Sequence, residues 1–264
     1  MHNLNSYNRI VVKIGSAVLV NPKGKIDHVF LANLVKDIAW LRNRNKEVLI
    51  VSSGAIALGR KNIALPKNLS LAESQALAAH GQIELMIAWK KHLNKHNIHV
   101  GQMLLTPRET ELKISANNAK QTLSKLLDVG CLPIINENDT TATDEIKFGD
   151  NDLLAAKISN LFQADLLVIL SSVDGLYASE ADIQNNNASG LIREVTKINA
   201  KIKKMGGQAS GMGKGGMISK IEAAEICFKN KCDMVITSGN KKKPITGLNA
   251  KARATWFVKN EYGP

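Results

Sequence analysis

The chain has 264 residues, of which 44% are hydrophobic and 22% charged, a composition typical of a folded domain with a sizeable core. Its net charge of +12 admits nucleic acid as a partner, but the basic residues are scattered and aromatics reach only 4%, too few for base-stacking platforms. No apolar run approaches the roughly 18 residues of a membrane span and no signal peptide is recognisable, so we expect a cytoplasmic protein without membrane contact.

The cysteines argue against two further classes of protein. Cys131, Cys227 and Cys232 do not pair at the spacing of zinc ligands, and three thiols are too few for a disulfide framework. The sequence therefore indicates reduced thiols and predicts no metal site built from cysteine.

Short β-branched runs alternate with longer helical patterns along the chain. The runs predicted as strands are Arg9–Ile14, Val48–Val51, Val100–Leu105, Leu132–Ile135, Leu166–Leu170 and Met234–Thr237. Between them, apolar residues recur at helical spacing, as in Leu31–Leu41, Leu154–Leu161 and Met217–Phe228. Near-continuous apolar strands separated by helices predict an α/β fold, a three-layer α/β/α sandwich around a mostly parallel sheet. We expect a single domain over residues 1–264.

Polar or glycine-rich turns follow most of the predicted strands. They are Gly15-Ser16, Ser52–Gly54, Thr106–Arg108, Asn136–Asp152 and Ser171–Gly175. Ligands of parallel sheets bind outside the carboxyl ends of the strands, so these turns predict a long cleft along one edge of the sheet.

The longest of these turns, Asn136–Asp152, is acidic although the protein is basic. It contains six carboxylates: Glu137, Asp139, Asp144, Glu145, Asp150 and Asp152. Crowded acids are tolerated mainly where a cation is received, and loops at strand ends often carry function. The segment is predicted to bind a positively charged group, with a solvated surface loop as the alternative.

Two lysines adjoin glycine-rich turns. Lys13 lies in an apolar strand just before Gly15, where an ammonium is costly unless an anion meets it; a lysine extending to solvent from an edge strand is the alternative. Lys220 lies one turn into the helix that follows the glycine-rich string 210–216. The amides of this string and the helix N-terminus suit an anion, with a surface loop as the alternative, and the string is not a Walker loop.

Such a cleft, with two lysines, glycine-rich anion sites and an acidic loop, suits phosphoryl transfer, because positioning and electrostatics do most of that catalysis. An alcohol acceptor would need a general base. A carboxylate acceptor needs none, since the reference pKa of Glu is about 4.3 and the nucleophile is already ionised. The acidic loop is then left to bind a cationic group of the acceptor.

A series of motifs, in order over about residues 9–240, carries a family resemblance. They are Val-Val-Lys-Ile-Gly-Ser, Val-Ser-Ser-Gly-Ala-Ile-Ala-Leu-Gly, Gly-Gln-Met-Leu-Leu-Thr, Ile-Asn-Glu-Asn-Asp, Gly-Asp-Asn-Asp-Leu-Leu-Ala-Ala and Gly-Met-Gly-Lys-Gly-Gly-Met-Ile-Ser-Lys. The set resembles the glutamate 5-kinases of the amino acid kinase family. The resemblance implies transfer of the γ-phosphoryl group of ATP, with Mg²⁺, to the γ-carboxylate of L-glutamate, giving glutamyl 5-phosphate for proline synthesis. It also implies a glutamate-binding lobe over about residues 1–160, an ATP-binding lobe over about 161–264, and a homo-oligomer, either dimer or tetramer.

The resemblance also assigns roles to individual residues. Lys13 and Lys220 would neutralise the transferring phosphoryl group, with Asp152 holding both ammoniums in place. The residues implied for glutamate are Ser53, Gly54, Asp139, Asp150 and Asn151. The residues implied for ATP are Lys13, Ser171, Ser172, Lys214, Gly215, Gly216, Met217, Ile218, Ser219 and Lys220.

The chain departs from the family pattern in two places. Ser171-Ser172 stands where members usually have Thr-Asp or Ser-Asp, so a carboxylate expected near the nucleotide is missing. Ala252–Phe257 resembles the closing strand of the domain, and we expect the chain to lack the PUA domain that many members carry.

Two other hypotheses remain open. Another kinase of the superfamily, such as acetylglutamate or uridylate kinase, fits less well, because an acylated amine offers no cation and the acidic loop repels a nucleotide acceptor. A nucleic-acid-binding module on a degenerate kinase fold is favoured by the charge of +12 and by Ser171-Ser172, whereas Lys13, Asp152 and Lys220 argue against it. Salt-dependent RNA binding without ATP turnover would identify such a module.

Overall fold

The computed structural model describes residues 2–63, 65–66, 68–141, 151–184, 187–207, 216–250 and 252–258. Within these residues the strands form one eight-stranded sheet. They are β1 (Arg9–Ile14), β2 (Glu47–Ser52), β3 (Val100–Leu105), β4 (Leu132–Glu137), β5 (Leu166–Ser171), β6 (Glu194–Val195), β7 (Asp233–Ser238) and β8 (Ala254–Phe257).

Helices connect most of the strands. In the described part of the chain they are α1 (Ser16–Leu19), α2 (His28–Arg42), α3 (Ala55–Asn62), α4 (Leu71–Leu93), α5 (Pro107–Glu111), α6 (Lys113–Asp128), α7 (Asn151–Phe162), α8 (Glu180–Gln184), α9 (Ala200–Met205) and α10 (Met217–Lys229). Short 3-10 turns occupy Leu4–Ser6, Asn94–His96, Ala188–Gly190 and Thr246–Ala250.

The strand order across the sheet is β3-β4-β2-β1-β5-β7-β8-β6. Every pair of neighbours runs parallel except β7 and β8, which run antiparallel. The chain moves to β2 on one side of β1 and later to β5 on the other side. This reversal creates a topological switch point, the position at which open α/β sheets bind ligands.

Two hydrophobic clusters cover the two faces of the sheet. Alternate residues of a strand point to opposite faces, so Ile10 and Val12 of β1 join one cluster while Val11 joins the other. Helices α2 and α4 contribute to the first cluster, and α6, α7 and α10 to the second. The predicted three-layer α/β/α sandwich with a mostly parallel sheet is therefore confirmed.

The sequence located the long apolar strands and missed the weaker elements. The predicted bounds of β1 and β3 agree with the structure, whereas β2, β4, β5 and β7 extend one or two residues further because polar residues at their ends still pair. Strand β6 has two residues, too few to show a pattern. Helix α4 shows a blurred periodicity because Ile83 and Ile87 lie on its exposed side.

No helix within the described residues combines the length and hydrophobicity that crossing a membrane requires.

Candidate active site

Lys13 is the only charged residue of β1 after Arg9, and the fold buries it. It lies two residues after Val11 in the strand, so its side chain points to the sheet face that α7 and α10 cover. Lys13 is 4% exposed, and its Nζ lies 2.5 Å from Oδ1 of Asp152. A buried ammonium is costly without a counter-charge, and this carboxylate supplies one.

Asp152 accepts a second ammonium on its other oxygen. It is fully buried in the first turn of α7, where the helix dipole favours a negative charge. Lys220, in the first turn of α10, lies with its Nζ 3.0 Å from Oδ2 of Asp152. The hydroxyl of Ser219 lies 3.2 Å from the same oxygen. The structure thus brings together the three residues predicted to be catalytic.

The turn after β2 adopts a conformation that glycine allows. Gly54 has φ +115°, in the left-handed region, and acts as the N-cap of α3. This conformation lets α3 begin directly after Ser53. The half-buried Ser53 hydroxyl and the first turn of α3 consequently border the same cavity.

An amide network links this turn to the beginning of α7. Nδ2 of Asn151 donates to Oγ of Ser53 at 2.7 Å and to Oδ1 of Asn136 at 2.8 Å. Asn136, the fifth residue of β4, is 3% exposed, and its Oδ1 also accepts the backbone N–H of Glu137 at 2.9 Å. Sequence reasoning did not assign Asn136 to the site, although its position at the end of a buried strand was a usable signal.

The acidic segment is shorter as a loop than the sequence suggested. Asn136 and Glu137 belong to β4 and are buried, and Asn151 begins α7. Glu137 and Asp139 line the cavity. The predictions for Asp144, Glu145 and Asp150 lie outside the described residues.

Residues predicted to contact the nucleotide follow β5 and begin α10. Ser171 and Ser172 line the cavity after β5. Gly216 is the N-cap of α10, and its carbonyl oxygen lies 2.8 Å from the hydroxyl of Ser219. Met217 and Ile218 follow in the first turn of α10 and are half-buried. The predictions for Lys214 and Gly215 lie outside the described residues.

One cavity of about 430 Å³ joins these groups at the carboxyl ends of β1, β2, β4 and β5. Its lining includes both lysines, the Ser53-Gly54 turn, the acids Glu137 and Asp139, and the Ser171-Ser172 turn. Thr106–Arg108, predicted to border the cleft, is not part of this lining; Thr106 instead caps the short helix α5. The cavity lining combines the cations Lys13, Arg60 and Lys220 with acids and amides, which suits a substrate carrying both signs of charge.

Comparison with known proteins identifies the family of the chain. Residues 8–238 match the sequence profile described as the amino acid kinase family. The chain belongs to the amino acid kinase family. As an amino acid kinase it has curated relatives such as glutamate 5-kinase of Rhizobium etli, 45% identical over 257 residues, and glutamate 5-kinase 1 of Rhizobium meliloti, 47% identical over 257 residues. Both alignments cover 97% of the chain, which spans 66% and 65% of these two relatives.

Solved structures agree on the amino acid kinase fold. UMP kinase of Ureaplasma parvum superposes with a TM-score of 0.67 at 18% identity, covering 96% of this chain and 99% of its own. Isopentenyl phosphate kinase of T. acidophilum superposes with a TM-score of 0.63 at 16% identity, covering 94% of this chain and 99% of its own. At these identities the likeness concerns the fold of the amino acid kinases and not the substrate.

Proposed function

We propose that the chain catalyses transfer of the γ-phosphoryl group of ATP to the γ-carboxylate of L-glutamate, giving L-glutamyl 5-phosphate and ADP. The observation that carries the proposal is a single cavity lined by Lys13 and Lys220, which share the carboxylate of Asp152, and by the Ser53–Asn151 pair. The identity of 45–47% to curated glutamate 5-kinases over 97% of the chain supports it independently.

The lysine cluster would act on the phosphoryl group. In phosphoryl transfer the charge spreads over the equatorial oxygens of the migrating group, and fixed cations stabilise it. Lys13 and Lys220 approach from different elements, and Asp152 holds both ammoniums without a rearrangement during the reaction. The N-terminus of α10 adds a partial positive charge on the same side.

Other residues of the cavity lining would select the acceptor. An amino acid brings an ammonium and a carboxylate, and the cavity lining offers partners for each. Asp139 and Glu137 provide negative charge for the ammonium, while the hydroxyl of Ser53 and the N-terminus of α3 suit a carboxylate. The γ-carboxylate of glutamate is ionised at neutral pH, so the attack on phosphorus requires no general base.

Magnesium would enter with the nucleotide. Across the described ranges no three His, Cys, Asp or Glu side chains cluster as a metal site, so phosphate oxygens of ATP would supply most of the ligands, as is usual for this ion. When bound, the ion screens the charge of the phosphates. Ser171 and Ser172 would lie near the nucleotide, as would the first turn of α10.

The test is an acceptor panel in which hydroxylamine traps the acyl phosphate. The purified chain with ATP and Mg²⁺ is given L-glutamate, N-acetyl-L-glutamate, UMP or no acceptor, and both hydroxamate and ADP are measured. We expect hydroxamate with L-glutamate, ADP in equal amount, and little of either with the other acceptors. Protein that is folded by circular dichroism, yet forms ADP with UMP or N-acetylglutamate and no glutamyl hydroxamate, would overturn the proposal.

A further inference from the structure

A polar side chain of helix α4, Gln82, is hydrogen-bonded to Asn136 of the amide network. Gln82, half-buried in the middle of this helix, accepts a hydrogen bond at Oε1 from Nδ2 of Asn136 at 2.9 Å. Its own Nε2 is buried and has no hydrogen-bond partner among the described residues. A buried donor without a hydrogen-bond partner costs free energy. Packing alone therefore does not explain why a glutamine occupies position 82.

The donor and acceptor pattern fixes the direction of the whole network. The backbone N–H of Glu137 is a donor that cannot be reversed, and it determines that Oδ1 of Asn136 lies on that side. The Nδ2 group of Asn136 then requires an acceptor on its other side, and Gln82 supplies it. Oδ1 of Asn136 in turn accepts from Nδ2 of Asn151.

This direction determines what Ser53 can offer a ligand. Because Nδ2 of Asn151 donates to Oγ of Ser53, the serine oxygen is already an acceptor and its own proton points elsewhere. Ser53 lines the cavity, so this proton is available to a carboxylate there. If the Asn151 amide reversed, its oxygen would face Ser53 and draw that proton away from the cavity.

Backbone packing fixes the place of Gln82 relative to this turn. A Cβ on the preceding residue, Gly81, would lie 1.9 Å from the carbonyl oxygen of Ala55, so α4 approaches the first turn of α3 at backbone contact. That first turn directly follows Ser53-Gly54. The contact between α3 and α4 therefore fixes the position of Gln82 relative to Ser53, as do the hydrogen-bonded amides between them.

We propose that Gln82 is a positioning residue for the acceptor site: through Asn136 and Asn151 it keeps the hydroxyl of Ser53 as a donor to the carboxylate of the acceptor. This inference rests on the proposed function, because the acceptor it names is the amino acid. Gln82 is not among the residues that line the cavity, so it would act through Asn136 and Asn151. Its removal should weaken acceptor binding and leave ATP binding unchanged.

The experiment compares two substitutions of opposite character at one position. Gln82→Met keeps the length of the side chain and removes the acceptor, whereas Gln82→Glu keeps an oxygen for Nδ2 of Asn136. We expect Gln82→Met to raise KM for glutamate about tenfold with KM for ATP unchanged, the effect of one buried polar group left unpaired. Gln82→Glu should raise KM for glutamate much less, because it keeps an acceptor for Asn136. Gln102→Met is the matched control, since Gln102 lines a neighbouring cleft together with Gln82 but is exposed on the edge strand β3.

A double-mutant cycle with Ser53→Ala tests the route of the effect. If Gln82 acts through Ser53, Gln82→Met adds little to the KM of Ser53→Ala, whereas a general loosening of the fold adds its full effect in both backgrounds. Additive effects, an unchanged KM for glutamate in Gln82→Met, or an equal rise in KM for ATP would each overturn the inference. If Gln82→Met does not fold, Gln82→Ala enters the same cycle.

Failure of the proposed function would give a different result from failure of the inference about Gln82. In that case the wild-type chain itself forms no glutamyl hydroxamate, whatever the variants do. Glutamate-dependent thermal stabilisation in the absence of ATP supplies a second measure, and we expect Gln82→Met to shift its midpoint to about tenfold higher glutamate. An unchanged midpoint contradicts the positioning role independently of turnover.

Discussion

The ammonium groups of Lys13 and Lys220 lie on the two oxygens of one fully buried carboxylate, at 2.5 and 3.0 Å. One lysine belongs to the first strand and the other to α10, so the pair exists only after the sheet and both its flanking helices have assembled. Two ammoniums on one carboxylate repel each other, and the negative charge of Asp152 offsets that repulsion. The proposed phosphoryl site thus consists of two lysines that one shared carboxylate holds close together.

Replacing either lysine should affect turnover far more than substrate binding. Lys13→Met and Lys220→Met each remove one cation that would stabilise the transferring phosphoryl group, so we expect kcat to fall about 10²–10³-fold. KM for glutamate should change little, because in the proposed function Ser53, Glu137 and Asp139 would bind the amine and a carboxylate of the acceptor. Steady-state kinetics with the hydroxamate readout measures both constants.

A surface lysine of α7 provides the control for this prediction. Lys157 forms an ion pair with Glu111 at the protein surface, and Lys157→Met removes the same charge from the helix that carries Asp152. We expect it to retain near wild-type kcat. Equal kcat values for Lys157→Met and Lys13→Met would mean that the buried cluster has no special role in turnover.

The contact between α3 and α4 should tolerate no side chain at Gly81. A Cβ there would lie 1.9 Å from the carbonyl oxygen of Ala55, so Gly81→Ala must push the two helices apart. We expect a loss of about 1–3 kcal/mol of unfolding free energy from overpacking, together with a raised KM for glutamate, because α3 begins at the Ser53-Gly54 turn. Urea unfolding and steady-state kinetics report the two effects.

A glycine with free space around it provides the control, because Gly247→Ala replaces glycine by alanine without a close contact. The nearest atom to a Cβ on Gly247 would be Cβ of Lys243 at 3.7 Å, an ordinary contact. Gly247→Ala should therefore leave both stability and KM close to wild type. A loss of stability as large as that of Gly81→Ala would contradict the assignment of the effect to the helix contact.

The sequence predicted the sheet and the cluster of Lys13, Asp152 and Lys220 for different reasons. The long strands were predictable because burial on both faces requires near-continuous apolar runs such as Leu166–Leu170. The position of glycine-rich turns at strand ends predicted Lys13 and Lys220 in one cleft, whereas their shared contact with Asp152 was implied only by the family resemblance, because no local pattern specifies which distant side chains meet.

The amide network was missed because its members carry no charge and sit in unremarkable contexts. Asn136 was assigned to an acidic loop, yet it belongs to β4, and the nearby carboxylates obscured its position at the end of a strand. Gln82 was missed because the periodicity of α4 is blurred by exposed isoleucines. A hydrogen-bond network depends on distances between elements, and these are set by tertiary packing.

A buried carboxylate on α2 should anchor the segment after β7. Asp37 is 5% exposed and accepts the backbone N–H groups of Ile245 and Thr246 and the hydroxyl of Thr246, at 2.8, 3.0 and 2.6 Å. Asp37→Ala leaves these donors without their acceptor, and we expect a loss of about 3 kcal/mol or more. Asp27→Ala, which removes the N-cap of the same helix, should cost only about 1 kcal/mol. Urea unfolding compares the two, and an equal cost would show that Asp37 acts as no more than a helix cap.

A histidine pair between α2 and α4 should make stability depend on pH. Nε2 of His92, which is 6% exposed, lies 3.0 Å from Nδ1 of His28. Burial lowers the pKa of His92 below its ordinary value, and the nearby His28, Lys95 and Lys91 lower it further. The folded protein thus binds a proton at His92 only at a lower pH than the unfolded chain, which binds one below about pH 6.5. The contribution of His92 to stability is complete above that pH and declines as the pH falls below it.

His92→Gln should remove this part of the pH dependence. One titrating group changes the unfolding free energy by at most about 1.4 kcal/mol per pH unit. Between pH 6.5 and 5.5 the variant should therefore lose less unfolding free energy than the wild type, by no more than this amount. Urea unfolding at pH 7.5, 6.5 and 5.5 measures the unfolding free energy of both proteins. In the difference between them, the contributions of titrating groups common to both cancel. His96→Gln, at an exposed position shortly after the end of α4, should retain the wild-type slope. Parallel pH profiles for wild type and His92→Gln would show that the buried histidine takes no part in acid destabilisation.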